Sequence, residues 1–199
     1  TITGARKTGT EALMAWAHKM ALEGKNYRDE RQRAADAGSL AHAMIENSIH
    51  GLDPMESIAA PSEEILLKAK GGFAAYEEWS RVMDVDYLVT ECPLVSEAHQ
   101  YGGTPDAIAK VGGKLALLDW KTSNAVYGDY IIQMAAYRQL WNETKPDRLQ
   151  SCYLLRVGKE MGDFHMHSYP DEVLDWGWKA FLHLLALYGL DKQLKKVCS

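Results

Sequence analysis

The chain has 199 residues, and its 22 basic and 27 acidic side chains give it a formal net charge of −5. Hydrophobic residues make up 47% of it and charged residues 25%, the proportions of an ordinary globular domain. This length predicts one domain with a substantial core. No apolar run is long enough to span a membrane, so we expect no membrane partner. The acidic balance is evidence against a nucleic-acid partner. This evidence is weak, because a bound cation reverses the local charge of a site.

The cysteines limit both the covalent chemistry and the location. Cys92, Cys152 and Cys198 are odd in number and far apart. They cannot build a disulfide framework or a four-cysteine zinc or iron–sulfur site. No secretory signal opens the sequence, which starts with Thr1 and not with Met, so we expect a trimmed or processed beginning. We expect an intracellular, reducing location, in the cytoplasm or in a host cell if the source is viral.

The N-terminal part is predicted to be helical. Apolar residues at helical spacing predict a first helix over residues 8–23 and a second over 29–50, which Gly51 ends. Pro61 opens a third helix, which runs to about Arg81 with acidic residues in its first turn.

The pattern then changes to the two-residue period of strands. Three consecutive strands predict an antiparallel meander, and the following helix crosses over to a further strand, which gives an α/β fold with a mixed sheet flanked by helices. The final helix ends near Gly189, and the basic tail from Lys192 to Ser199 is expected to fray. The predicted elements are strands over 84–97, 99–110 and 114–121, a helix over 128–143, strands over 149–157 and 163–169, and a helix from Pro170.

Two acidic residues and a lysine form the most informative group in the sequence. Asp119 and Lys121 are two residues apart on a predicted strand, so their side chains project to the same side. The turn at 112–113, Gly-Gly, folds the preceding strand back and brings Asp106 beside Asp119. Carboxylates suit Mg²⁺ or Mn²⁺. The alternative is a pair of surface acids, which the apolar run before Asp119 disfavours.

The lysine has two interpretations. The Lys121 ammonium could hold an attacking water or stabilise charge on a phosphate in the transition state. It could equally form a simple ion pair with Asp119. A D-x-K triplet alone carries no information, but together with Asp106 behind a Gly-Gly turn it is moderately specific.

Two further pairs are spaced four residues apart on predicted helices. His42 and Glu46 share one face of the second helix, and an imidazole added to carboxylates would favour Mn²⁺ as well as Mg²⁺. Gln133 and Tyr137 share a face of the helix after the acidic strand and could hydrogen-bond the lysine or a phosphate. Taken by spacing alone, His42 is an ordinary histidine. Tyr137 belongs to a stripe on this helix that packs in the core, together with Tyr130, Met134 and Trp141.

The joint order of these motifs resembles a known family. The segments are Gly-Ser-Leu-Ala-His42-Ala-Met-Ile-Glu46, Gly-Gly-Thr-Pro-Asp106, Leu-Leu-Asp119-Trp-Lys121-Thr-Ser and Gln133-Met-Ala-Ala-Tyr137. Together they are similar to the PD-(D/E)XK nuclease superfamily, and more closely to its RecB-like exonuclease branch, which includes CRISPR-associated adaptation nucleases and the mitochondrial genome-maintenance exonuclease. The resemblance covers roughly residues 36–140. Each motif alone is weak, and their order is specific.

The resemblance implies a restriction-endonuclease-like fold and metal-dependent cleavage of DNA. It implies one nuclease domain over 1–199, with a helical part at 1–81, a catalytic α/β core at 82–190 and a tail at 191–199. By position, the ligands of Mg²⁺ or Mn²⁺ would be His42, Asp106, Asp119 and the Trp120 carbonyl. Lys121 would be catalytic together with the two aspartates, and the supporting or DNA-binding residues would be Gln133, Tyr137, Glu46 and Glu91. Glu91 occupies a family-typical acidic position on the first strand.

The sequence therefore predicts a DNA exonuclease that acts on single-stranded or frayed ends. Two alternatives stay open, namely a structure-specific or restriction-like endonuclease and a decayed nuclease that only binds DNA. Some relatives carry a four-cysteine iron–sulfur cluster, which this chain cannot build. Helicase-fused relatives are much longer, so we expect any helicase or recombination protein to be a separate partner.

Overall fold

The computed structural model describes residues 10–59, 62–123, 125–157 and 164–197. Within these ranges the helices and strands follow one another along the chain as α1 (Thr10–Leu22), α2 (Tyr27–Ile49), α3 (Glu63–Val82), β1 (Val85–Thr90), β2 (Leu94–Ser96), β3 (Tyr101–Gly103), β4 (Ala107–Val111), β5 (Lys114–Thr122), α4 (Gly128–Thr144), β6 (Ser151–Val157), β7 (Phe164–Ser168) and α5 (Asp171–Val197).

The main sheet is mixed, as the sequence predicts. Its strands lie in the order β1, β4, β5, β6, β7, with β5 at the centre. The β1–β4, β4–β5 and β6–β7 pairs are antiparallel, and β5 and β6 are parallel. Helix α4 supplies the crossover that a parallel pair requires. The α/β fold with helices on a mixed sheet is confirmed.

Helices cover both faces of the sheet. On one face, α2 and α3 pack against Leu118 and Trp120 of β5. On the other face, α4 and α5 pack against Leu117 of β5 and Leu154 of β6. Because side chains alternate along a strand, Asp119 shares the α4 face with Leu117. Strand β5 thus carries a carboxylate in the middle of a buried run.

The β4–β5 turn forms as predicted. Gly112 and Gly113 have φ angles of +55° and +77°, the left-handed conformation that a tight hairpin turn requires. The resulting register pairs Ala107 with Leu118. The residues that extend this register by one position are Asp106 and Asp119, so the predicted approach of the two acids is confirmed.

Two of the predicted strands are interrupted. The strand expected over 84–97 is divided into β1 and β2, and the strand expected over 99–110 into β3 and β4. Glu91, between β1 and β2, has a φ angle of +44°, which an extended strand cannot accommodate. Gln100, with a φ angle of +56°, lies in the turn between β2 and β3, and residues 104–106 separate β3 from β4. Strands β2 and β3 pair with each other in a separate two-stranded sheet.

The last helix is longer than predicted. The expectation that it ends near Gly189 and that the tail frays is wrong, because α5 continues to Val197. A Lys195–Asp191 ion pair at 2.6 Å and the Lys192 ammonium, 5.4 Å from the Tyr188 ring centre, join successive turns there.

A few expectations fall on residues outside the described ranges. These are the start of the first helix at residues 8 and 9, Pro61 at the start of the third helix, residue 163 of the last predicted strand, and the final tail residues with Cys198. Among the described helices, none combines the length and the apolar character that a membrane crossing needs.

Candidate active site

Asp119 and Lys121 form a largely buried ion pair at the end of β5. Asp119 is 2% exposed, and the Lys121 Nζ lies 2.7 Å from Asp119 Oδ2. Asp119 Oδ2 has no partner with hydrogen-bond geometry, so the contact is chiefly electrostatic. The Lys121 ammonium also lies 5.5 Å from the centre of the Tyr130 ring on α4. The simple ion pair that the sequence left open is therefore present.

Burial and charge act in opposite directions on this pair. Burial raises the pKa of Asp119 to about 6, although the attraction of Lys121 opposes the shift. Burial alone would lower the pKa of Lys121, but the charges of Asp119 and Asp106 outweigh it and raise that pKa. With these two pKa values, Asp119 is ionised and Lys121 is protonated at neutral pH. On acidification the carboxylate is the group that changes.

Asp106 lies directly before β4 and is held from two sides. Its Oδ2 accepts a hydrogen bond of 2.7 Å from the backbone N–H of Trp120. Its Oδ1 lies 3.6 Å from His42 Nδ1. Burial lowers the pKa of His42, but its interaction with the Asp106 carboxylate more than offsets this, so the pKa is raised. The structure thus brings His42 and Asp106 together beside the strand that carries Asp119. That the Trp120 carbonyl is a metal ligand stays a prediction.

Close packing of α2 on β5 positions His42. Gly38 lies one turn before His42, and a Cβ atom there would be only 2.5 Å from Thr122 Oγ1. The buried face of the helix, with Ala41 and Ile45 almost inaccessible, packs on the sheet. His42 is therefore placed at the edge of the core, facing the acids.

Glu46 and Glu91 line the same cleft as His42. The cleft, of 450 Å³, lies between α2 and the residues after β1. Glu46 Oε1 accepts a long hydrogen bond of 3.4 Å from Thr90 Oγ1. Glu91 directly follows β1, so its predicted place on the strand is off by one residue, and its N–H donates to the Asp106 carbonyl at 3.0 Å. Burial and the nearby acids raise the pKa of Glu91.

Gln133 and Tyr137 border the site from α4. Gln133 Nε2 donates to Tyr137 Oη at 2.9 Å. Burial, and then the charge of Asp119, raise the pKa of Tyr137. The Tyr137 ring covers Gly103, where a Cβ atom would meet the ring at 2.4 Å. The structure therefore places this pair beside the ion pair of β5.

The aromatic stripe on α4 has two roles. Met134 and Trp141 are core residues, as the spacing indicated. Tyr130 and Tyr137 are half-buried and face the site, and sequence reasoning missed Tyr130 by assigning it to the core. Its position seven residues, or two turns, before Tyr137 on the same helix face is the signal that could have found it.

The donor types at this site suit a hard divalent cation. Two carboxylates and an imidazole are ligands for Mg²⁺ or Mn²⁺, and the buried Asp119 Oδ2 contacts the Lys121 ammonium at 2.7 Å without hydrogen-bond geometry. Among the described residues, however, no three His, Cys, Asp or Glu side chains are close enough to hold one ion. The available oxygens are engaged by Lys121 and by His42. A metal therefore fits by donor chemistry and would require these two contacts to rearrange.

Comparison with known proteins shows similarity in structure only. No protein-family model and no curated protein matches the chain. A crystal structure described as a "putative exonuclease" from Eubacterium rectale is 13% identical with a TM-score of 0.51, over 76% of this chain and 64% of that one. This chain thus spans less than two thirds of that structure's length. An alkaline exonuclease from Laribacter hongkongensis is 18% identical with a TM-score of 0.38, over 83% of this chain and 92% of that one. The first similarity shows the fold.

Proposed function

We propose that this chain is a metal-dependent DNA exonuclease of the RecB-like branch of the PD-(D/E)XK superfamily. The observation that carries the proposal is the meeting of Asp106, Asp119 and Lys121 at one end of β5, with both acids fixed by the β4–β5 hairpin. The fold shared with the Eubacterium rectale protein described as a "putative exonuclease" supports it. Its partners would be DNA and a separate helicase or recombination protein.

The residues that would hold the cation are His42, Asp106, Asp119 and the Trp120 carbonyl. A bound Mg²⁺ or Mn²⁺ supplies a water of lowered pKa and a counter-charge for phosphate oxygens. The Trp120 N–H fixes Asp106 through a 2.7 Å hydrogen bond, so this carboxylate is oriented before any ligand arrives. The buried Asp119 has a raised pKa, which makes it a stronger base than an exposed aspartate.

Lys121 supplies positive charge where a phosphate would bind. The neighbouring carboxylates raise its pKa, so the ammonium stays protonated at neutral pH. If a cation were held by the Asp119 carboxylate, the Lys121 ammonium would be able to donate to an attacking water or to a phosphate oxygen. The Tyr130 ring of α4 lies beside Lys121, 5.5 Å from its ammonium. This preorganised charge is the kind of contribution that strengthens in the transition state.

The dimensions of the cleft favour a thin strand as substrate. The cleft beside His42, Glu46 and Glu91 has a volume of 450 Å³, comparable to that of sites for single small ligands. An endonuclease that lands on internal duplex would gain from a broad basic face, and the chain carries a net charge of −5. The intact Asp106, Asp119, Lys121 set argues against a decayed nuclease that only binds.

End dependence is the decisive test of this proposal. An end-labelled linear single strand and its covalently closed circle are incubated with Mg²⁺, with Mn²⁺ or with EDTA. We expect the linear form to be degraded only with metal and the circle to survive. Rapid nicking of the circle at the same enzyme concentration would instead establish an endonuclease, and binding without cleavage of either form would establish a decayed nuclease.

A further inference from the structure

A second and larger cavity lies on the α4 side of the sheet. Its volume is 660 Å³, within the range of small-ligand sites. It lies between β3, α4 and α5, and its walls are mainly apolar and aromatic, with Lys192 of the last turns of α5 adding a positive charge. Its lining includes Tyr101, Gly103, Gln133, Tyr137, Tyr188 and Lys192.

This cavity adjoins the candidate active site through three shared residues. Gln133 and Tyr137, whose side chains are hydrogen-bonded at 2.9 Å, line the cavity and border the Asp119–Lys121 pair. Gly103 lies under the Tyr137 ring and is three residues before Asp106. A polymer that enters the active site on the α4 side therefore passes the mouth of the cavity.

The aromatic wall is preformed and well supported. Tyr101 is fixed by a hydrogen bond of 2.9 Å from its hydroxyl to the Ala136 carbonyl, and its ring packs 4.6 Å from that of Phe181. Trp178 stacks behind Phe181 at 5.6 Å and 16°. A wall of this kind needs no rearrangement to receive a flat ring, so little affinity is lost to ordering.

The outer end of the cavity combines an exposed ring with a positive charge. Tyr188 is 42% exposed, and the Lys192 ammonium lies 5.4 Å from its ring centre. Aromatic side chains next to lysines are how proteins bind single strands, since bases stack on the rings and phosphates pair with the cations. An apolar small molecule would make no use of the Lys192 charge.

We propose that this cavity binds a nucleobase of the substrate strand, close to the phosphate that is cleaved. The base stacks on Tyr188 against the aromatic wall, Lys192 pairs with the adjoining phosphate, and Gln133 contacts the base edge. This site rests on the proposed function, because it assumes that the strand runs on to Asp119 and Lys121. It makes single-stranded DNA the preferred substrate, since a paired base cannot enter.

The test uses two variants of the cavity and one matched control. Tyr188→Ala removes the exposed ring. Gly189→Leu adds bulk at the cavity lining, where a Cβ atom meets nothing within 4 Å, and leucine is the better helix former, so this variant folds at least as well as the wild type. The control, Trp176→Ala, removes a 58% exposed aromatic side chain of the same helix that lies outside the cavity.

Binding is measured in EDTA, by fluorescence anisotropy, with two labelled oligonucleotides of equal charge. One is oligo-dT, and the other is an abasic chain of the same length. We expect the wild type and Trp176→Ala to bind oligo-dT roughly tenfold more tightly than the abasic chain, about 1.4 kcal/mol. Tyr188→Ala and Gly189→Leu lose this preference. The proposal would be overturned if the wild type bound the two oligonucleotides equally well. It would also be overturned if Trp176→Ala lost the preference for oligo-dT as fully as Tyr188→Ala does.

A parallel cleavage assay separates this proposal from the proposed function. If the wild type cleaves DNA with metal but binds both oligonucleotides equally, the base site is overturned and the proposed nuclease function is retained. A base preference that depends on Tyr188, in a wild type that never cleaves DNA, would overturn the nuclease and leave the base site as part of a DNA-binding protein.

Discussion

Gly38 of α2 lies against Thr122 of β5 so closely that a Cβ atom on the glycine would be 2.5 Å from Thr122 Oγ1. This approach sets the distance between the helix that carries His42 and the strand that carries Asp119. Threonine is stiff about its first side-chain torsion, so it cannot move aside cheaply. The glycine is thus a positioning residue for the candidate metal site.

Gly38→Ala should therefore displace α2 from β5. We expect a loss of about 1–3 kcal/mol in the free energy of unfolding, typical of overpacking, and a lower cleavage rate. Gly71→Ala on α3 is the control, because a Cβ atom there meets nothing within 4 Å, and it should stabilise the protein. Adding Thr122→Ala removes the clashing hydroxyl, so the double variant should recover activity. If the single variant Gly38→Ala kept wild-type activity, the distance between α2 and β5 would not be needed to position the site.

The local pattern of the sequence predicts the central part of the fold well. The apolar run before Asp119 and the Gly-Gly turn at 112–113 determine β5, its hairpin and the approach of the two acids. These are short-range signals, since period and turn chemistry act within a few residues. The placement of Asp119 and Lys121 on one side follows from the same reasoning.

Features that depend on distant contacts could not be predicted. The interruption at Glu91 and the turn at Gln100 between β2 and β3 are backbone conformations with positive φ that no glycine indicates. The packing of Tyr137 on Gly103 joins residues 34 positions apart in sequence, and the Tyr130–Lys121 contact joins a strand to the next helix. Such contacts are set by tertiary packing, which periodicity does not encode.

His42→Ala tests the imidazole as a metal ligand. We expect metal affinity to fall on the order of tenfold or more, and Mn²⁺-supported cleavage to suffer more than Mg²⁺-supported cleavage, since imidazole suits Mn²⁺ better. His50→Ala is the matched control, at the residue that directly follows α2, where the imidazole bonds to Thr90 Oγ1 at 2.9 Å. The comparison is the ratio of the two rates across a metal titration. An unchanged ratio and rate in His42→Ala would make His42 a structural histidine.

Lys121→Ala should lower turnover far more than DNA affinity. The ammonium acts on charge that develops in the transition state, and loss of one such donor costs about 10²–10³-fold in kcat. Ground-state binding rests on other contacts, so the dissociation constant for DNA should change little. Lys110→Ala, an exposed lysine on β4, controls for the loss of one positive charge. Weak binding with normal turnover would reassign Lys121 to substrate binding.

Metal affinity should fall on acidification through about pH 6. Burial raises the pKa of Asp119 to about 6, so below that pH a proton competes with the cation. The raised pKa of His42, where the Asp106 carboxylate outweighs burial, acts in the same direction. Calorimetric titration with Mn²⁺ between pH 5 and pH 8 measures this. A constant affinity across the range would show that neither group is a ligand.

The raised pKa of Asp119 affects the stability of the metal-free protein in the opposite direction: stability is greater at low pH, where metal affinity is lower. A pKa raised in the folded state means that the Asp119 contribution is fully present below the unfolded pKa near 3.8 and is lost as the pH rises through about 6. The difference in unfolding free energy between the wild type and Asp119→Asn should therefore change most steeply between these two pH values and be nearly constant outside them. The test fails if their difference is independent of pH.

The most direct test of the account is cleavage by Asp119→Asn. The amide has the shape of the carboxylate but is a poor ligand for a hard dication. We measure nucleotide release from a linear single strand in Mg²⁺ and in Mn²⁺, with Asp86→Asn, an exposed acid of β1, as the control. The account predicts that Asp119→Asn releases nothing detectable while its circular dichroism spectrum is unchanged and Asp86→Asn cleaves like the wild type. Wild-type cleavage by a folded Asp119→Asn would contradict it.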